Sequence, residues 1–134
     1  MIEINNTTKF RINKKELVRI GESFLRRYGF KNKDISLAFV SESVIKRLNN
    51  TYRQKNKITD VLSFEGDDNF LGEIVISPVQ IKRQAQEAKH SFLAELNFIF
   101  VHGLLHLAGY NDETEKNRLE MIKVGEEFLK KYKK

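Results

Sequence analysis

The stretch from Phe92 to Ala108 constrains this chain more than any other part of it. It reads as one helix, from about Ser91 to Ala108, with Leu93, Leu96, Ile99, Phe100, Leu104 and Leu107 spread around most of its surface. A helix that is apolar nearly all round belongs at the centre of a domain. It does not read as a membrane span: Glu95, Asn97, His102 and His106 interrupt it, and a span needs roughly 20 largely apolar residues. The whole chain has 134 residues, 40% of them apolar. That is enough for one core around one central helix, so residues 1–134 are expected to form a single domain.

The same helix carries the candidate chemistry. His102 and His106 stand four residues apart, which places both imidazoles on one face, within reach of one ion. Gly109 follows, and glycine tolerates the positive φ of a sharp turn. Asp112 then arrives six residues after His106. The pattern H-x-x-x-H-x-x-G-x-x-D holds two ligands on a rigid helix and brings a third back across the turn. Three ligands with an open position for water is the arrangement of a catalytic zinc rather than a structural one. The chain has no cysteine, so a metal here uses His, Asp, Glu or water, and disulfide partners are excluded. Without a shared metal each buried imidazole needs another partner, because an unpaired buried polar group costs ~1–3 kcal/mol.

Asp112 has a competing reading. Asp112-Glu113-Thr114-Glu115 also fits a capping box for a last helix, and Glu113 or Glu115 would then be the third ligand. Glu95, two turns before His102, is either an outer partner that holds an imidazole tautomer or a buried acid paired elsewhere. His90 reads as structural or exposed. The residue after His102 separates two chemistries. Metzincin-type peptidases use H-E-x-x-H-x-x-G-x-x-H, with the glutamate as general base. Here that position is Gly103. The spacing is similar and the peptidase base is missing.

The remaining pattern predicts an α+β fold, with a small mixed sheet of about four strands and helices around the central His-bearing helix. Ile2 to Ile4 is a weak edge strand. Asn13 to Glu16 is a capping box that opens a helix over 14–28, with Gly29 just past its end. Ile35 to Val40 is a buried strand, and Ser41 caps a helix to about Tyr52. Arg53 to Thr59 reads as a polar loop. Val61 to Phe64 and Gly72 to Ser77 are strands separated by a turn rich in Gly and Asp. Ser77 and Pro78 start a helix to about Lys89, and a last helix covers Thr114 to Tyr132. The formal charge is +6, which attracts polyanions without naming one. The polar stretch Met1 to Asn13 lacks the apolar run of a signal peptide, so a cytoplasmic protein with no membrane partner is expected.

Three stretches share a resemblance. His102-Gly103-Leu104-Leu105-His106-Leu107-Ala108-Gly109-Tyr110 resembles the signature H-G-x-L-H-L-x-G-Y-D-H of the YbeY family. Asn50-Thr51-Tyr52-Arg53, followed by Lys57-Ile58-Thr59-Asp60-Val61-Leu62-Ser63-Phe64, is similar to its N-x-x-Y-R-x-x-D-K-P-T-D-V-L-S-F-P. Leu71-Gly72-Glu73-Ile74-Val75-Ile76-Ser77 is similar to its L-G-D-I-x-I-S. The likeness runs from about Ser36 onward.

The resemblance implies a bacterial metal-dependent endoribonuclease that cuts single-stranded RNA. It further implies a role in 3′-end maturation of small-subunit ribosomal RNA and in ribosome quality control, with the small subunit and its assembly factors as partners. It implies that Arg53 is the functional arginine, meeting phosphate or transition-state charge. The alternative is a ribosome-assembly binding factor with a mainly structural metal.

The departures are specific. The family's third histidine falls on Asp112 and the aspartate before it on Asn111; Ile58 and Glu65 stand at prolines, and Asn56 stands at an aspartate. Aspartate is an acceptable zinc ligand at ~2.0–2.2 Å. Its charge makes bound water less acidic and shifts preference toward harder ions, so one Zn2+ or another divalent ion is expected. Lys55, Lys57, Lys82 and Arg83 are candidates for an RNA path. Lys130, Lys131, Lys133 and Lys134 read as charge at a helix end. Tyr110 either stacks on a base or packs beside the turn.

Overall fold

Alternating apolar residues make the strands and caps set the helices. The structure, a computed structural model, describes residues 1–132; Lys133 and Lys134, read above as helix-end charge, lie outside the described residues. The order is β1 (Ile2–Asn6), α1 (Lys14–Arg27), β2 (Asp34–Phe39), α2 (Glu42–Arg53), β3 (Val61–Glu65), β4 (Phe70–Ile76), α3 (Pro78–Ala88), α4 (Phe92–Leu107) and α5 (Glu115–Tyr132). The sheet order is β1-β2-β4-β3. β1, β2 and β4 run parallel, and β3 returns antiparallel to β4 as an edge strand. This is the mixed four-stranded α+β sheet the sequence predicts.

The period of two divides the residues between faces. Ile35, Leu37 and Phe39 of β2 and Ile74 and Ile76 of β4 join a core with Leu17, Ile20 and Phe24 of α1 and Leu96, Phe100 and Leu104 of α4. Val75 and Leu62 instead pack on Ile45 of α2. Thus α2 covers one face of the sheet, and α1 and α4 cover the other. Phe100, Val101, Leu104 and Leu105 are fully buried, which makes α4 the central helix its composition requires. Gly72 allows α4 this close. A Cβ there would meet the Phe64 carbonyl oxygen at 2.4 Å and Leu107 Cδ2 at 2.6 Å.

The caps explain most boundaries. Asn13 Oδ1 accepts from Glu16 N at 3.2 Å, and Gly29 turns with φ +80° after α1. Ser41 and Ser91 cap α2 and α4. Two local expectations change. Arg53, read as the start of a loop, is the last residue of α2; the helix stops one residue later, where Gln54 adopts a left-handed φ of 54° and its N–H returns to Asn49 and Asn50. Ser77 does not cap α3 through its side chain, because its Oγ is buried without a partner. Pro78 opens that helix, where the missing N–H leaves nothing to satisfy.

Candidate metal centre

The end of α4 decides where the third donor goes. Gly109 N donates to His106 O at 3.1 Å and Tyr110 N to Leu105 O at 3.0 Å, the paired bonds of a Schellman turn. Gly109 supplies the positive φ this needs, +104°. The chain then doubles back. Asn111 Oδ1 accepts from Glu113 N at 3.3 Å and Asn117 Nδ2 at 3.0 Å, which braces the turn from inside. Thr114, not Asp112, caps α5, its Oγ1 accepting from Asn117 N at 3.1 Å. The Asp112 carboxylate is thereby free of the cap and faces the histidines.

Asp112 Oδ2 stands 3.5 Å from His106 Nε2 and 3.7 Å from His102 Nε2. The three donor atoms lie within 4.8 Å of one another, so this group could hold a metal ion. Contacts of 3.5 and 3.7 Å are at or beyond hydrogen-bond range. They fit an ion between the atoms: zinc bonds of ~2.0–2.1 Å at tetrahedral angles separate donors by ~3.3–3.4 Å. Two imidazoles and a carboxylate are an ordinary donor set for a divalent ion, so the residues fit the group. Burial, and next the neighbouring His106, push the pKa of His102 below 6.5 and favour the neutral ring whose lone pair can bind a metal. Its Nδ1 is buried without a protein partner. Side-chain exposure rises from 16% at His102 through 29% at His106 to 44% at Asp112, so the cluster opens toward solvent.

Gly103 has a packing reason. A Cβ there would lie 3.1 Å from Ile74 Cγ2 and 3.3 Å from Ser63 Oγ, and the Ser63 hydroxyl donates to the Gly103 carbonyl at 3.3 Å. The helix lies close against the sheet at this point, and any side chain at position 103 would press on Ile74 and Ser63.

The donors form part of a cleft of about 1020 Å³ that also reaches Arg53, Lys55, Lys57 and the edge strand β3. Arg53 Nη2 donates to Ser63 O at 2.7 Å, and its guanidinium lies over the Phe64 ring at 5.2 Å from the centroid. Tyr52 meets the same ring edge-on at 5.3 Å. Ser63 therefore ties Arg53 on one side and the histidine helix on the other. The other candidates divide. Lys55 and Lys57 line the cleft; Lys82 does not, and Arg83 is paired with Glu42. Tyr110 lines the cleft and packs edge-on against Tyr28. Glu113 and Glu115 stay outside the donor cluster. Glu95 is the buried acid paired elsewhere, bonded to His90 and Gln84. Asp60 enters the same cleft and was not singled out by sequence reasoning, although it lies inside the T-D-V-L-S-F stretch.

Fold and site define the class: a small α+β domain with two helical imidazoles and a returning carboxylate in a cleft beside an arginine. The chain belongs to the YbeY endoribonuclease family, whose model, described as Endoribonuclease YbeY, matches residues 3–133. It is 38% identical over 140 residues to a protein named Endoribonuclease YbeY from Phytoplasma australiense, covering 97% of this chain and 94% of that one. A protein of the same name from Aliarcobacter butzleri is 38% identical over 138 residues, covering 99% and 93%. The solution structure of TM1509 from Thermotoga maritima superposes with a TM-score of 0.68 at 32% identity, covering 98% of this chain and 89% of that one.

Proposed function

We propose that this chain is a metal-dependent endoribonuclease that cuts single-stranded RNA. Its place is 3′-end maturation of small-subunit ribosomal RNA and ribosome quality control, in the cytoplasm, with the small subunit and its assembly factors as partners. Family membership supports the nuclease activity. One observation carries the metal dependence: the approach of His102 Nε2, His106 Nε2 and Asp112 Oδ2 in a cleft that Arg53 also lines. Among the described residues no helix is long and apolar enough to cross a membrane.

His102, His106 and Asp112 would hold one Zn2+, or a harder divalent ion because the third donor is a carboxylate. When bound, the ion supplies Lewis-acid polarisation of a phosphoryl oxygen and acidifies an oxygen nucleophile. The protein supplies the rest. Arg53 spends one N–H on Ser63 and keeps further donors, a planar fork that matches phosphate oxygens and charge developing on phosphorus. Lys55 and Lys57 extend positive charge along the cleft for the neighbouring backbone. The Gly103 position leaves no helical carboxylate to accept the nucleophile's proton. Attack by water and attack by the RNA's own 2′-hydroxyl differ in product, since only the second leaves a 2′,3′-cyclic phosphate.

The test is cleavage of an end-labelled single-stranded RNA by the zinc-loaded chain, beside the same strand in a duplex and after chelation. Cleavage of the single strand alone, abolished by chelator and restored by zinc, is the expected outcome. Cleavage indifferent to chelation sinks the metal-dependent reading.

A further inference from the structure

One acid in the cleft wall has surroundings built for it and no part in the scheme above. Asp60 lies between the loop after α2 and β3, and its carbonyl accepts from Ser77 N at 3.0 Å, fixing it to the end of β4. Its carboxylate accepts from Thr59 Oγ1 at 3.4 Å and from Gln84 Nε2 at 3.2 Å. The same Gln84 amide donates to Glu95 Oε2 at 3.0 Å. Glu95 is only 8% exposed on α4, and its other oxygen meets His90 Nε2 at 2.6 Å. One NH2 group has two protons, so Gln84 serves both acids at once. The result is a polar chain, His90–Glu95–Gln84–Asp60, from the surface to the wall of the cleft.

Hydrogen bonding does not account for the charge. An asparagine at position 60 would still accept through its carbonyl oxygen. The other proton of the Gln84 amide goes to Glu95, whose second oxygen already has His90 as its partner. The charge therefore answers to something else near it. Asp60 lines the cleft with His102. It is not a fourth donor, because it stands outside the cluster of converging atoms.

We propose that Asp60 is a positioning residue of the ion site, a carboxylate clamped by Gln84 beyond the three donors, whose charge draws a divalent cation to them and offsets it there. This rests on the reading of His102, His106 and Asp112 as the ion's holders. Two neutral imidazoles and one carboxylate leave a divalent ion with a net positive charge of one, and the Asp60 carboxylate offsets that remaining charge from beyond the donors. Removing a charged partner beyond the ligands commonly lowers metal affinity ~10–100-fold.

The test is zinc affinity of the full chain, measured by competition with the chelator 4-(2-pyridylazo)resorcinol, together with the Tm of the metal-free form. Asp60→Asn is expected to bind zinc about tenfold more weakly. Its metal-free Tm should be nearly unchanged, because the asparagine carbonyl still accepts from Gln84. Asp60→Glu, which keeps the charge, should fall between the two, and the deficit should shrink as KCl screens it. Asp60→Asn binding zinc as tightly as the wild type overturns the proposal, as does a deficit that salt leaves unchanged. Asp60→Ser replaces the Asn variant, with the same two outcomes, if that one does not fold. A wild-type chain that takes up no zinc refutes the donor set itself, and the role of Asp60 with it. That is a different result from tight wild-type binding that Asp60→Asn leaves unmoved.

Discussion

Asp112 Oδ2 lies 3.5 Å from His106 Nε2 across the glycine turn, while Thr114 takes over the capping of α5. The carboxylate makes no backbone bond that holds the turn. Asp112→Asn is therefore expected to leave the metal-free Tm nearly unchanged, within about 0.5 kcal/mol of stability. Zinc affinity should fall at least tenfold with the loss of an anionic ligand. Calorimetric titration of zinc into both chains measures this. Unchanged affinity would place the third ligand elsewhere.

Gly109 delivers that carboxylate. With φ at +104° and nothing within 4 Å of a built Cβ, the cost of a side chain there is conformational rather than steric. Gly109→Ala should lower stability by ~1–2 kcal/mol and weaken zinc binding, because relaxation of the turn moves Asp112. Urea denaturation of the metal-free chain and a zinc titration separate the two effects. Loss of stability with full zinc affinity would show that Asp112 tolerates the shift.

Arg53 is proposed to act on the substrate side. Its guanidinium is anchored by Ser63 O at 2.7 Å and by the Phe64 face, and it makes no contact with the metal donors. Arg53→Ala should keep zinc content and fold while cleavage of single-stranded RNA falls about 10²-fold, the scale of losing one transition-state donor. Arg53→Lys should recover only part of this, since an ammonium lacks the planar fork. Full activity in Arg53→Ala would remove the arginine from the mechanism.

Acid sensitivity follows from His102, whose pKa is held below 6.5 first by burial and then by His106. The unfolded chain takes up a proton near pH 6.5 that the folded ring resists. The metal-free protein therefore gains nothing from this group above that pH, and it loses stability as the pH falls below it toward the folded value. Urea midpoints at pH 7.5 and 5.5 should drop further for the wild type than for His102→Gln. Equal drops would show that the burial of the ring has no such effect.

The local parts of this account were legible in the sequence because they are local. His102, His106, Gly109 and Asp112 lie within eleven consecutive residues: helical periodicity puts the two histidines on one side, and the glycine turn returns Asp112 to them. The caps at Asn13 and Ser41 are similarly short-range. What escaped depends on elements that meet only in the fold. Ser63 reaches Gly103 across 40 residues. Arg83 is taken from the expected RNA path by Glu42, 41 residues earlier. Gln84 joins Asp60, 24 residues before it, to Glu95, 11 residues after. Ser77 has the pattern of a cap, yet the strand end buries its hydroxyl before it can act as one. Arg53 was reached through the resemblance, since nothing in its spacing places it opposite two histidines some fifty residues away.

The most direct test pairs elemental analysis with cleavage of single-stranded RNA, for the wild type and His106→Ala. About one zinc per wild-type chain is expected, with cleavage lost on chelation. His106→Ala is expected to fold, still associate with the small ribosomal subunit, hold no zinc and not cut. A His106→Ala chain that cuts as the wild type does would contradict a metal-dependent nuclease. So would a wild type with no nuclease activity whose domain melts when His106 is removed, the behaviour of a binding factor with a structural ion.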